Sequence, residues 1–234
     1  MGRRLTDEGR RKRGRGQGEG ADYDPWIHAG QKEFRNRGTS TRLTDDIIGR
    51  RVHTLSRGET GWWYEMRWRD DVADIREQKD LNLEDTVRIA ESLGYKHPQK
   101  NGKPVVMTTD MLVTFTDGTM CAYSIKTDRG AFDRPRTVEK HAIERCYWQE
   151  KGVGFKTAFG EDLNRIRTRN IQDVLEMYSS ENVCDEIGVL RHLIAHKKIL
   201  TDMDSAPLDY VTLKKQYKKE IEEWLKKNSQ LLEV

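Results

Sequence analysis

The sequence predicts an α/β fold: a mixed sheet flanked by helices, followed by a small helical unit. Three observations carry that reading. Strand-like and helix-like patterns alternate through the first 160 residues, Thr116-Asp117-Gly118-Thr119 marks a tight hairpin between two apolar runs, and beyond residue 163 helical periodicity dominates.

Residues 1–20 contain Leu5 as their one branched aliphatic side chain, while Arg3, Arg4, Arg10, Arg11, Lys12, Arg13 and Arg15 make them strongly basic. So little apolar surface does not offset the entropy of ordering. The segment is therefore expected to be a flexible basic arm, either simply solvated or adding phosphate contacts to DNA. Order is expected to begin at Asp22-Tyr23-Asp24-Pro25-Trp26-Ile27, with residues 32–44 a polar loop.

From 58 to 68, Trp62, Trp63 and Met66 recur at helical spacing. Ser56 followed by Glu59 three residues later fits a capping box, the plain structural role for that glutamate. Residues 71–78 alternate as a strand, and 83–93 read as a helix stopped by Gly94. The β-branched and apolar runs 105–107 and 110–115 precede the Asp-Gly turn, and 120–126 form the return strand. A helix over 137–151 and a short strand over 153–158 complete the α/β part.

Residues 163–178, 184–196 and 207–225 are three helical patterns, with Ile187, Leu190 and Ile194 making one apolar stripe and Leu213, Tyr217, Ile221 and Trp224 another. Three short helices around a small core predict a winged-helix-like unit, with 197–203 as its wing strand. Its lysine pairs suit a solvated face as well as DNA contact, and such units dock proteins as readily. The expected division is an arm over 1–20, an α/β domain over 21–164 and the winged-helix-like unit over 165–234.

Charged and hydrophobic residues each make up 35% of the 234-residue chain, and Lys+Arg total 42 against 39 for Asp+Glu, a net charge of +3 that identifies no partner. No run approaches the roughly 18 apolar residues of a spanning helix, and Met1-Gly2-Arg3-Arg4 leads into arginines rather than a signal core. A cytoplasmic location is expected. Cys121, Cys146 and Cys184 are widely spaced, which fits a reducing compartment and lacks zinc-ligand spacing. His192 and His196 are i, i+4 but have no acidic motif beside them, so no histidine is assigned to a metal.

The chemistry centres on Asp110, opening one strand of the hairpin, and Ser124-Ile125-Lys126, closing the other. On adjacent antiparallel strands these ends lie side by side, so a carboxylate and an ammonium meet at one sheet edge. That is the core geometry of a restriction-endonuclease-like nuclease. Phosphodiester hydrolysis needs charge neutralisation and an activated water, which Mg2+ supplies through a few oxygen ligands. Asp110 is the candidate bridging carboxylate, the Ile125 carbonyl adds an oxygen, and Lys126 orients or acidifies the water. Glu59 adds a third acid if its helix packs over that edge. Its capping role competes with this one, and spacing alone leaves both open.

The stretch Gly14-Arg15-Gly16-Gln17-Gly18-Glu19-Gly20-Ala21-Asp22-Tyr23-Asp24-Pro25-Trp26-Ile27 closely resembles the N-terminal signature of the TnsA family, the endonuclease subunits of heteromeric transposases in Tn-seven-like elements. In order follow Gly49-Arg50, Val52-His53, Leu55-Ser56, Glu59, Asp74-Ile75-Arg76-Glu77-Gln78, Lys96-His97-Pro98, Met107-Thr108-Thr109-Asp110, Glu144-Arg145 and Tyr147-Trp148-Gln149, all similar to that family. The resemblance covers about residues 14–159. It implies a restriction-endonuclease-like fold and a catalytic set of Glu59, Asp110 and Lys126. It also implies a Mg2+ site, in which Mn2+ can substitute, drawing on Glu59, Asp110, Ser124 and Ile125. Ser124 stands where the family has glutamine, and its shorter hydroxyl is expected to reach metal only through water.

By the same resemblance the protein cleaves the 5′ ends of a mobile element in cut-and-paste transposition. A separate transposase subunit, TnsB, cuts and joins the 3′ ends, and the C-terminal part docks an AAA+ regulator, TnsC. The competing readings are a catalytically weakened scaffold bridging transposase, regulator and DNA, made conceivable by Ser124, and an autonomous restriction-like or repair nuclease, which the signature over 14–27 opposes.

Overall fold

The structure is a computed structural model that describes residues 5–30 and 39–228. The chain divides into two units, Met1–Leu163 and Asn164–Val234. In chain order the first contains α1 (Asp7–Arg11), β1 (Thr41–Asp45), β2 (Arg50–Thr54), α2 (Arg57–Arg67), β3 (Val72–Asp80), α3 (Leu83–Ser92), β4 (Gln99–Lys100), β5 (Lys103–Pro104), β6 (Thr108–Phe115), β7 (Met120–Lys126), α4 (Pro135–Glu150) and β8 (Gly154–Phe159).

A four-stranded mixed sheet has the order β3-β6-β7-β8, antiparallel except where β8 runs parallel to β7. The β6–β7 hairpin pairs Met111 with Tyr123 through Thr114 with Met120, about a turn in which Gly118 has φ +82, a conformation open to glycine. The parallel step requires a crossover, which α4 provides, started by Pro135 in its first turn. Leu81, Ile89, Leu112, Ala122, Ile143 and Trp148 form the core where α3 and α4 cover the sheet. Each large side chain buried there contributes about 1.5–3 kcal/mol. The indole of Trp62 on α2 donates to the Phe159 carbonyl at 2.9 Å, fastening α2 beside the end of β8.

Three expectations about this unit are corrected. Residues 5–20 are not a solvated arm: Arg10 and Arg15 are buried, and the Arg10 guanidinium lies over the Trp26 ring at 5.6 Å. The Gly16 N–H donates to the Asp24 carbonyl and Arg76 pairs with Glu19. Arginine stems and backbone pairing do here what aliphatic side chains usually do. A Cβ on Gly16 would collide with the Asp80 carboxylate, so the close approach to β3 depends on that glycine. Positions 1–4, including Arg3 and Arg4, lie outside the described residues.

Residues 41–44, read as loop, belong to the β1–β2 hairpin, whose anchors are the buried pairs Asp45–Arg67 and Arg50–Glu77 rather than an apolar stripe. Positions 32–38 of that loop lie outside the described residues. Residues 105–107 are not a strand. Val105 N–H donates to the Pro98 carbonyl, Val106 N–H to the Asp7 carboxylate, and the Met107 carbonyl accepts from Leu81, so their polar groups serve loop contacts after the small β4–β5 hairpin.

The second unit contains α5 (Arg165–Leu175), α6 (Glu186–Ala195), α7 (Tyr210–Gln216) and α8 (Lys218–Lys227). Of the two expected stripes, Leu190, Ile194, Ile221 and Trp224 are buried, while Ile187, Leu213 and Tyr217 are half-buried. Buried Asn170 pins the chain between helices, donating to the Met203 and Ala206 carbonyls and accepting from the Leu208 N–H. The expected wing is absent: all regular structure among the described residues of this unit is helical. Lys197 adopts φ +53 and the Lys198 N–H returns to the Leu193 carbonyl, closing α6 in a C-terminal cap, while Ile199 and Met203 turn inward. The helix expected over 207–225 breaks at Tyr217 into α7 and α8. No helix among the described residues is long and apolar enough to cross a membrane.

Candidate active site

Glu59 lies in the first turn of α2, where its N–H donates to the Ser56 hydroxyl at 3.1 Å. Its carboxylate accepts from Leu55 N–H at 2.8 Å, from the Ser56 hydroxyl at 3.0 Å and from the Gln78 amide at 3.1 Å. The cap therefore fixes the same carboxylate that is the candidate third acid. Burial, and then the charge of Asp110, push the Glu59 pKa up to about 8. The Asp110 charge acts on Glu59 across this part of the fold.

Asp110 is the third residue of β6. Its Oδ2 accepts the Ile125 N–H at 2.6 Å and lies 3.6 Å from the Lys126 ammonium. Lys126 donates to the Ser124 hydroxyl at 2.8 Å and to the Ile125 carbonyl at 3.2 Å. The hairpin thus delivers aspartate, carbonyl and lysine to one place.

Ser124 is fully buried, and its hydroxyl, accepting from Lys126, donates to Glu144 at 3.0 Å. Sequence reasoning gave Glu144 no role. It also accepts from Thr109 at 2.7 Å, and Thr109 in turn accepts from the Trp148 indole at 2.6 Å. Burial and then Asp110 raise the Glu144 pKa to about 7, with Lys126 opposing. The signal for it was a glutamate among the inward positions Ile143, Tyr147 and Trp148 of α4. Gln78, likewise unassigned, is buried with φ +48. On α4, His141 bonds the Thr157 hydroxyl, and burial and the Lys126 charge push it down to about 4. His53 stands apart from this cluster, accepting from the Ala29 N–H and stacked on His28.

Two carboxylates and a carbonyl are hard oxygen donors, and beside the larger effect of burial the Asp110 charge raises the Glu59 pKa, a repulsion that a cation would relieve. No group of three His, Cys, Asp or Glu suited to holding a metal occurs among the described residues. Such a sparse set suits Mg2+, which keeps several waters and substrate oxygens. The Ser124 hydroxyl is fully buried, donates to Glu144 and accepts from Lys126, which leaves it a weaker candidate ligand than the two carboxylates.

The family model described as TnsA-like endonuclease N terminal matches residues 69–158, a span containing Asp110, Ser124, Lys126 and Glu144. The chain is also 34% identical over 190 residues to the transposon Tn7 transposition protein TnsA of Escherichia coli, covering 80% of this chain and 69% of that protein.

Proposed function

As the chain belongs to the TnsA family, we propose that it is the DNA endonuclease subunit of a transposase, hydrolysing phosphodiesters at the 5′ ends of its element with Mg2+. The observation that carries this reading is the Asp110 carboxylate, which engages the Ile125 N–H and the Lys126 ammonium while its charge opposes that of Glu59.

In this reading Glu59, Asp110 and the Ile125 carbonyl would hold the cation, and Mn2+ could replace Mg2+. A divalent ion held by these residues would supply positive charge against that developing on the scissile phosphate. Lys126, tethered through Nζ to Ser124 and Ile125, orients the attacking water and adds positive charge at the phosphate. Ser124 acts as the tether of the lysine, with Glu144 behind it. The hydrogen bonds that run from Lys126 through Ser124 to Glu144 support the active reading over a weakened scaffold.

The partners are transposon-end DNA, a TnsB-type subunit acting at the 3′ ends, and a TnsC-type AAA+ regulator docking on the helical unit over 164–234. The work is done in the cytoplasm. The test is Asp110→Ala in a reconstituted reaction with the element's own transposase and end DNA. The 5′ nick is expected to fall at least about a hundredfold while 3′ cleavage continues. Undiminished 5′ nicking would refute the site.

A further inference from the structure

We propose that Gln78 is a positioning residue for the Glu59 carboxylate, held in its working conformation by residues 16–26; the inference rests on reading Glu59 as a divalent-cation ligand. Glu59 accepts three hydrogen bonds. Two come from its own helix cap and would persist wherever α2 moved. The third, from the Gln78 amide, alone comes from the sheet. It fixes the carboxylate relative to the strands that carry Asp110.

The register explains why Gln78 can do this. Glu77 pairs with Met111 and Lys79 with Thr109, so Gln78 falls between two paired positions and is itself outside the β3–β6 ladder. A strand residue there would ordinarily be extended and β-branched. Gln78 is instead left-handed, φ +48, and only 2% exposed. Its amide is used at both ends: the oxygen accepts from the Thr108 hydroxyl at 3.3 Å, which turns the NH2 toward Glu59. A buried non-glycine residue in this conformation, bonded to a candidate ligand, is the pattern of a site held by its surroundings.

The holding is done from outside β3. Trp26 N–H donates to the Gln78 carbonyl at 3.3 Å, the Tyr23 hydroxyl donates to the Glu77 carbonyl at 2.9 Å, and Lys79 reaches the Gly16 carbonyl. The glycine-rich N-terminal segment thus grips the backbone on both sides of Gln78. Its glycines serve the geometry of the site rather than a mobile tail.

The test is Mn2+ affinity of the full chain, read from water-proton relaxation, for wild type, Gln78→Ala, Thr108→Val and Glu59→Ala, with nicking measured across Mn2+ concentration. Gln78→Ala should weaken Mn2+ binding about 10–100-fold, and Thr108→Val should weaken it by a smaller factor. Nicking by both should recover at high Mn2+. If Glu59→Ala loses Mn2+ while both other variants bind as wild type, the positioning role is wrong and the metal reading stands. If Glu59→Ala binds as wild type, the metal reading falls and this inference with it. Should Gln78→Ala fail to fold, Thr108→Val decides alone, with wild-type affinity overturning the proposal.

Discussion

Replacing Glu144 with glutamine tests the hydrogen-bond chain behind Lys126. The Trp148 indole and the Lys126 ammonium only donate. Each therefore occupies a hydroxyl oxygen, Thr109 at one end and Ser124 at the other, and sends that hydroxyl's own proton into Glu144. Glu144 must accept at both oxygens, which a carboxylate does and an amide does not. In Glu144→Gln one hydroxyl faces an NH2 group, so one hydrogen bond to a charged acceptor, worth about 1.5–3 kcal/mol, is lost. Leaving that buried donor unpaired costs about 1–3 kcal/mol more. Glutamine recovers part of this by sparing the burial of a charge, the same burial that raises the Glu144 pKa. The balance is a destabilisation of about 2 kcal/mol, a large share of a typical 5–15 kcal/mol. Urea denaturation followed by tryptophan fluorescence measures it. With Ser124 free to turn, Lys126 keeps the Ile125 carbonyl but loses the shorter of its two tethers, and 5′ nicking is expected to fall about 10–100-fold. A variant as stable as wild type with unaltered nicking would refute the donor arithmetic.

Glu77→Ala strips the buried Arg50 guanidinium of both its carboxylate bonds, 2.9 and 2.7 Å, and should cost about 3–5 kcal/mol in urea denaturation; a loss under about 1 kcal/mol would contradict that. Ser124→Gln installs the residue expected from the family, yet Ser124 is fully buried between Lys126 and Glu144. Overpacking should cost about 1–3 kcal/mol and lower nicking, and preserved activity would mean the pocket opens. His53 and His141 are held near pH 4 by burial against a usual 6.5. The unfolded chain therefore takes up these protons first as pH falls, so their contribution is full above about 6.5 and is lost on the way down to about 4. Urea midpoints across this window should fall less steeply for His53→Gln/His141→Gln than for wild type, and parallel curves would show that neither histidine is so shifted.

Where local chemistry decided structure, the sequence was readable. Ser56 and Glu59 announced the start of α2, and Asp117-Gly118 set the hairpin that places Asp110 beside Lys126. The rest depended on partners distant in the chain. Glu144 lies among inward positions of its helix, but its role emerges only when Thr109 and Ser124, on separate strands, are seen to donate to it. Residues 5–20 defeated a rule based on aliphatic content because Arg10 packs on Trp26 and glycines let the backbone approach β3. The β1–β2 hairpin was hidden because its anchors are the ion pairs of Asp45 and Arg50. The wing failed at Lys197, whose left-handed backbone closes α6 instead of opening a strand.

The most direct test of the proposed site is an anomalous difference map from crystals of the protein soaked in Mn2+. The account predicts a peak bonded by the Glu59 and Asp110 carboxylates and the Ile125 carbonyl, with the Ser124 hydroxyl still on Glu144. A peak bonded by Ser124 without Glu59, or none beside Asp110, would contradict it.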